Sequence, residues 1–210
     1  MSVPTLSRRI FPWIVLLPSA YATGVMAAAR DPSAEAFVDT TARRLIEVLA
    51  DPGLSPAAKS AAFRSAIDTL ADVPRVTSFV LGKYARLLTP DQKRRFALAF
   101  RGYVEHVYRA RLSDYGGERI SVVGSIVRKP GDVIVATQIS GGQLRQAVPV
   151  SWRVLRSPQG WRLVDVQFRG VWLAITQQQD FVSTIDNAGG DAEPLIRQLQ
   201  GEAAPASSKR

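Results

Sequence analysis

The sequence predicts an α+β fold, with helices packed on one face of a curved antiparallel sheet of about four strands. Two observations predict it. Apolar residues recur at helical spacing from Glu35 to about Tyr115, and after Gly117 the period changes to two. Short turn signals rich in Pro, Gly and Asp separate the alternating segments. Strands joined that closely pair antiparallel and carry one apolar face each. Helices first and a meander afterwards place the helices as a layer on that face.

The first helix spans Glu35–Leu49, with Phe37, Thr41, Leu45 and Val48 on one side and Asp51-Pro52-Gly53 ending the run. A second starts near Ser55, with Pro56 at its first position, where a missing N–H costs nothing. Its stripe is Phe63, Ile67 and Leu70. A short helix follows from about Pro74 to Leu81 and stops at Gly82. Thr89-Pro90-Asp91-Gln92 reads as a capping box opening the longest helix, whose buried side carries Phe96, Phe100, Tyr103, Val104 and Val107.

Four strands are expected next. Ile120, Val122 and Ile126 mark the first, and Pro130-Gly131-Asp132 turns it. Val133, Val135 and Ile139 mark the second, which ends at Gly141-Gly142; Val148, Val150, Trp152 and Val154 mark the third. Ser157-Pro158-Gln159-Gly160 turns into the fourth, which runs from Trp161 through Val164, Val166 and Phe168 toward Ile175, with Gly170 read as a bulge or bend. Helices around Gln177–Ile185 and Glu193–Leu199 close the domain, and a small, polar, disordered tail is expected from Gly201 to Arg210.

Residues 1–29 are expected to be an export signal: Arg8 and Arg9, an apolar run from Ile10 to about Val25, then Ala27, Ala28 and Ala29 at signal-peptidase spacing. Pro12, Pro18 and Gly24 interrupt the run, which falls short of the roughly 20 residues that span a bilayer. Ser7-Arg8-Arg9-Ile10-Phe11 also fits a twin-arginine signal, and the general secretory route remains the other reading. The expected organisation is a signal at 1–29, one domain at 30–200 and a tail at 201–210.

The absence of cysteine excludes disulfides, thiol nucleophiles and thiolate metal sites, and a single histidine excludes most zinc arrangements. Losing Arg8 and Arg9 lowers the net charge from +9 to +7. That excess favours anionic partners. Export moves the weight from nucleic acid to phospholipid and acidic protein.

Catalytic candidates are few. His106 is the ordinary general base by type, and a packing or surface role on its helix is the competing reading. Asp165 could act as the acid of an enzyme on a cone-shaped sheet, an isomerase or dehydratase; otherwise it is an outward strand carboxylate paired with an arginine such as Arg153. No Gly-x-Ser-x-Gly stretch exists, and the glycine doublets lie at element ends, where they make turns rather than a phosphate-cradling loop.

The segment Phe79-Val80-Leu81-Gly82-Lys83-Tyr84, followed by Thr89-Pro90-Asp91-Gln92 and Phe96, Phe100 and Tyr103, resembles the MlaC, or toluene-tolerance, family of periplasmic phospholipid-binding proteins. Tyr108 to Leu112, Tyr115 to Glu118, Gly160 to Val166 and Gly170-Val171 continue the pattern over about Asp31–Leu199. Two departures stand out: Trp172 replaces a small serine, and Thr176-Gln177-Gln178 replaces an Asn-Tyr-Arg stretch.

The resemblance implies an NTF2-like fold (similar to nuclear transport factor 2) with acyl chains inside and the head group in solvent. It also implies two partners, an outer-membrane lipoprotein complex and an inner-membrane ABC transporter with an MCE-domain subunit, and no cofactor. A related branch associated with hopanoids keeps that lipid class open. Combined with the apolar alternation, it nominates Phe79, Phe100, Val104 and Val107 on helices and Val150, Trp152, Val166, Phe168 and Trp172 on the sheet as lipid-binding residues. The alternative is a plain filled core in a ligand-free interaction module. Lys83, Arg86, Lys93 and Arg94 either steer the protein to acidic partners or head groups, or form a solvated helix face.

Overall fold

The computed structural model describes residues 29–112 and 116–203. The expected signal segment, save Ala29, lies outside them, as do Tyr115 and the tail after Ala203.

The chain begins with α1 (Pro32–Ala50), capped by Asp31, whose Oδ1 accepts from the N–H groups of Ser33 and Ala34 at 2.9 and 3.0 Å. Such a cap is worth about 1 kcal/mol. Ser55 caps α2 (Pro56–Leu70), and Asp72 caps α3 (Val73–Val80). A 3-10 turn at Gly82–Arg86, which the sequence does not announce, leads into α4 (Pro90–Leu112). The capping box forms as expected: Thr89 N–H donates to Gln92 Oε1 at 3.0 Å, and Gln92 N–H donates to Thr89 Oγ1 at 3.2 Å.

The sheet is an antiparallel meander of β1 (Glu118–Lys129), β2 (Asp132–Gly141), β3 (Val148–Ser157), β4 (Gly160–Phe168) and β5 (Val171–Trp172), in that spatial order. It has five strands where four were expected. Arg169 and Gly170 both have positive φ, 49° and 84°, so they make a two-residue hairpin turn and not a bulge within one strand. The fourth strand therefore ends at Phe168, and α5 starts early and runs Leu173–Asn187. The last helix, α6 (Glu193–Ala203), passes the expected stop at Leu199 and takes in the first residues assigned to the tail.

Two packed cores result. Phe96 and Phe100 of α4, Val80 and Leu81 at the end of α3, and Phe181, Ile185, Leu195 and Ile196 of α5 and α6 fill a helical core. Phe96 stacks on Phe100 with centroids 5.8 Å apart, and Phe181 meets both rings edge-on. A second core joins Ala34 and Val38 of α1 to Val133, Val135, Val154 and Trp161 of the sheet. The α2–α3 junction is fastened to β4, where Asp72 N–H donates to Leu163 O at 2.9 Å.

Candidate functional site

Sheet register decides which side chains face the helices. Val133, Val135, Thr137 and Ile139 pair with Val154, Trp152, Val150 and Val148, and paired residues of antiparallel strands share a face. Val166 and Phe168 join that face opposite Trp152 and Val150, as do Ile120 and Val122 of β1 opposite Ile139 and Thr137. Its Val133–Val135–Val154 end is filled by α1.

The other end differs. Val150 is buried but belongs to neither core, and Ile120, Ile139, Val148, Val166 and Phe168 are only half-buried. The helices show the same change partway along. Among the described side chains of α1, Ala42 is the last that is fully buried, and Leu45 and Val48 are half-covered. In α4 Phe100 is 8% exposed, Tyr103 and Val104 are half-buried at the rim of the helical core, and Val107 is exposed. No described side chain of α2 is fully buried, and its stripe of Phe63, Ile67 and Leu70 is half-covered throughout. The main packing partner of α4 is α6 rather than the sheet. Apolar side chains of α1, α2, α4 and the sheet are thus left between two filled cores without completing either.

The polar groups on this face are satisfied within the sheet. Trp152 Nε1–H donates to Thr137 Oγ1 at 2.9 Å, and the Thr137 hydroxyl donates to Val150 O at 3.0 Å. The face therefore asks no hydrogen bond of whatever covers it.

The remaining nominated residues are placed elsewhere. Phe79 is 39% exposed and lines an outer groove of about 620 Å³ with Asp72, Arg75 and Arg86. Trp172 is in register with Gln167, one position off the Val166–Phe168 face. Of the basic residues, Lys83 pairs with Asp186 at 2.7 Å and Arg94 pairs with Asp91, while Arg86 and Lys93 are exposed. Helical spacing within α2 marked Phe63, Ile67 and Leu70 as a stripe, and the sign that they do more than pack is their incomplete burial.

The catalytic candidates occupy different settings. His106 is exposed on α4. Asp165 is buried, and its Oδ1 accepts from Val166 N–H and Ala174 N–H, each at 2.8 Å. Ala174 lies in the first turn of α5, whose own N-cap residue Trp172 contributes no side-chain bond. Asp165 therefore caps α5 from the neighbouring strand. Burial raises its carboxyl above the ordinary range, against the pull of those two N–H groups and Arg153. The expected Arg153 ion pair goes instead to Asp132, at 2.9 and 3.1 Å. Among the described residues, no cluster of three or more His, Asp or Glu is placed to hold a metal ion.

A helical layer over one face of an open sheet, with apolar surface left between two cores, defines an α+β protein of the ligand-binding kind. The chain belongs to the MlaC family, whose model, described as MlaC protein, matches residues 39–201. Its fold is shared with a phospholipid-binding protein from Ralstonia solanacearum solved in complex with a phospholipid. The TM-score is 0.73 at 23% identity, covering 81% of this chain and 97% of that one. No curated protein matches the chain.

Proposed function

We propose that this protein is a periplasmic carrier that holds a phospholipid by its acyl chains and shuttles it between outer-membrane and inner-membrane complexes, without catalysing a reaction. One observation carries the proposal: the half-buried apolar surface of α1, α2, α4 and the far end of the sheet, on which the sheet's own polar side chains, Trp152 and Thr137, are already paired. Hydrocarbon is the ligand chemistry such a surface fits. Family membership and the phospholipid in the Ralstonia solanacearum protein support the same reading.

The energetics explain why a carrier needs no catalytic group. Removing apolar surface from water is worth roughly 0.8 kcal/mol per CH2, so a two-chain phospholipid of about 30 such groups would cost about 25 kcal/mol to expose. A bilayer already provides that shelter. The protein has only to match it approximately, so that loading and release are both within reach, and direction comes from the membrane complexes on either side.

The test is lipid extraction from the purified protein, followed by mass spectrometry and by uptake from phospholipid vesicles. About one phospholipid per chain supports the proposal. Lipid-free protein that takes up none from vesicles overturns it.

A further inference from the structure

The boundaries between neighbouring elements are not closed in the same way. Fully buried apolar side chains close α4 against α6 and α3 against α5, and α1 is closed on the sheet by Val38 and its neighbours. Charge closes α2 against α4. Arg64 Nε lies 2.9 Å from Glu105 Oε1, Arg101 Nε lies 3.2 Å from the same oxygen, and the other end of Arg101 pairs with Asp68. Arg64, Arg101 and Asp68 are each partly open to solvent and only Glu105 is largely covered, so these pairs are weak and salt-screened compared with interlocked apolar packing. A groove of about 350 Å³ lined by Arg64, Leu98, Arg101 and Glu105 opens along this seam. On the same two helices, Phe63 and Ile67 of α2 and Tyr103 and Val104 of α4, the latter two at the rim of the helical core, are half-covered.

We infer that the seam between α2 and α4 is the portal by which acyl chains reach and leave the site, and that α2 is its door, latched by Arg64, Asp68, Arg101 and Glu105. This rests on the carrier reading above. Fastened to β4 just beyond its C-terminal end and turned from α1 by Asp51–Ser55, α2 has two fixed points to pivot on. Opening breaks partly exposed ion pairs whose partners water can solvate, and no described side chain of α2 that would have to be uprooted is fully buried. The guanidinium groups at the lip stay beside the phosphate while the tails pass inward, so the head group remains outside.

The chain has no cysteine, so the door can be locked cleanly. In Arg64→Cys/Glu105→Cys, the two thiols are joined by a short bismaleimide. Uptake of a fluorescent phosphatidylethanolamine is then followed from vesicles of phosphatidylethanolamine and phosphatidylglycerol. The linked protein should load and unload at least tenfold more slowly than the same variant unlinked, and than either single-cysteine variant treated with the reagent. Asp68→Cys/Arg101→Cys provides a second, independent lock if the first pair folds poorly. Linked protein that exchanges lipid at the unlinked rate overturns the portal while leaving the carrier reading standing. Wild-type protein that takes up no lipid overturns both.

Discussion

Phe100 and Ile67 are both apolar stripe residues of the helical layer, yet the structure assigns their truncation different costs. Phe100 is 8% exposed, stacked on Phe96 and met edge-on by Phe181 at 5.7 Å. Phe100→Ala leaves a cavity in a filled core and should cost about 3–5 kcal/mol. At roughly 2–4 °C per kcal/mol for a chain of this size, Tm falls by about 6–20 °C. Ile67 is half-buried and in neither core. Ile67→Ala removes three carbons, which at ~0.8 kcal/mol each and half coverage amounts to about 1 kcal/mol, or about 2–4 °C, with no new cavity to add. The assay is thermal unfolding of delipidated protein, since bound lipid would stabilise the folded state by mass action. Paired with it is lipid uptake, which Ile67→Ala lowers at unchanged fold. If Ile67→Ala costs as much as Phe100→Ala, the space beneath α2 is filled and the reasoning fails.

Other substitutions test separate parts of the account. Val166→Trp should lower lipid uptake while leaving Tm within a few degrees, because Val166 is only half-buried and belongs to neither core; in a filled core the same change would cost about 1–3 kcal/mol. Asp165→Ala should destabilise by about 2 kcal/mol, as two N–H groups lose their acceptor, whereas Asp165→Asn keeps the acceptor and removes the buried charge. Because burial raises the Asp165 carboxyl, its ionised form is disfavoured in the fold. Wild-type stability therefore falls as pH rises through that shifted range, and unfolding curves of Asp165→Asn across pH 4–8 should lack this component. Glu193 behaves oppositely: hydrogen bonding to Arg95 lowers it from 4.5 to about 2, so its contribution is present above 4.5 and lost as pH falls toward 2. Glu193→Gln should shrink the acid-side drop in Tm over that interval.

Local rules made much of the fold legible. Thr89 and Gln92 satisfy each other's backbone N–H groups as their spacing requires, and Ser55-Pro56 starts a helix as expected. The reversal at Arg169-Gly170 was hidden because one of its two left-handed positions is an arginine, which carries no turn signal. Asp165 looked like a strand carboxylate because one of its two acceptor bonds, from Ala174 N–H, comes from a helix that starts eight residues later. Gly201 read as a stop, yet α6 carries through it to Ala203. The site was legible as faces but not as a space. Alternation put Val150, Val166 and Phe168 on one side of the sheet, and helical spacing put Phe100 and Val104 on one stripe. Whether a stripe is filled or left open depends on what the opposite element brings, and Phe100 and Val104, one turn apart, fall on either side of that boundary.

The most direct test of the central claim is where a bound tail touches the protein. A phospholipid carrying a photoactivatable diazirine near the end of one acyl chain is loaded from vesicles and irradiated, and the adducts are located by peptide mass spectrometry. The account predicts labels on Phe63, Ile67 or Leu70 of α2, on Tyr103 or Val104 of α4, and on Val166 or Phe168 of β4. Labels confined to the outer groove around Phe79 and Arg86 would contradict it.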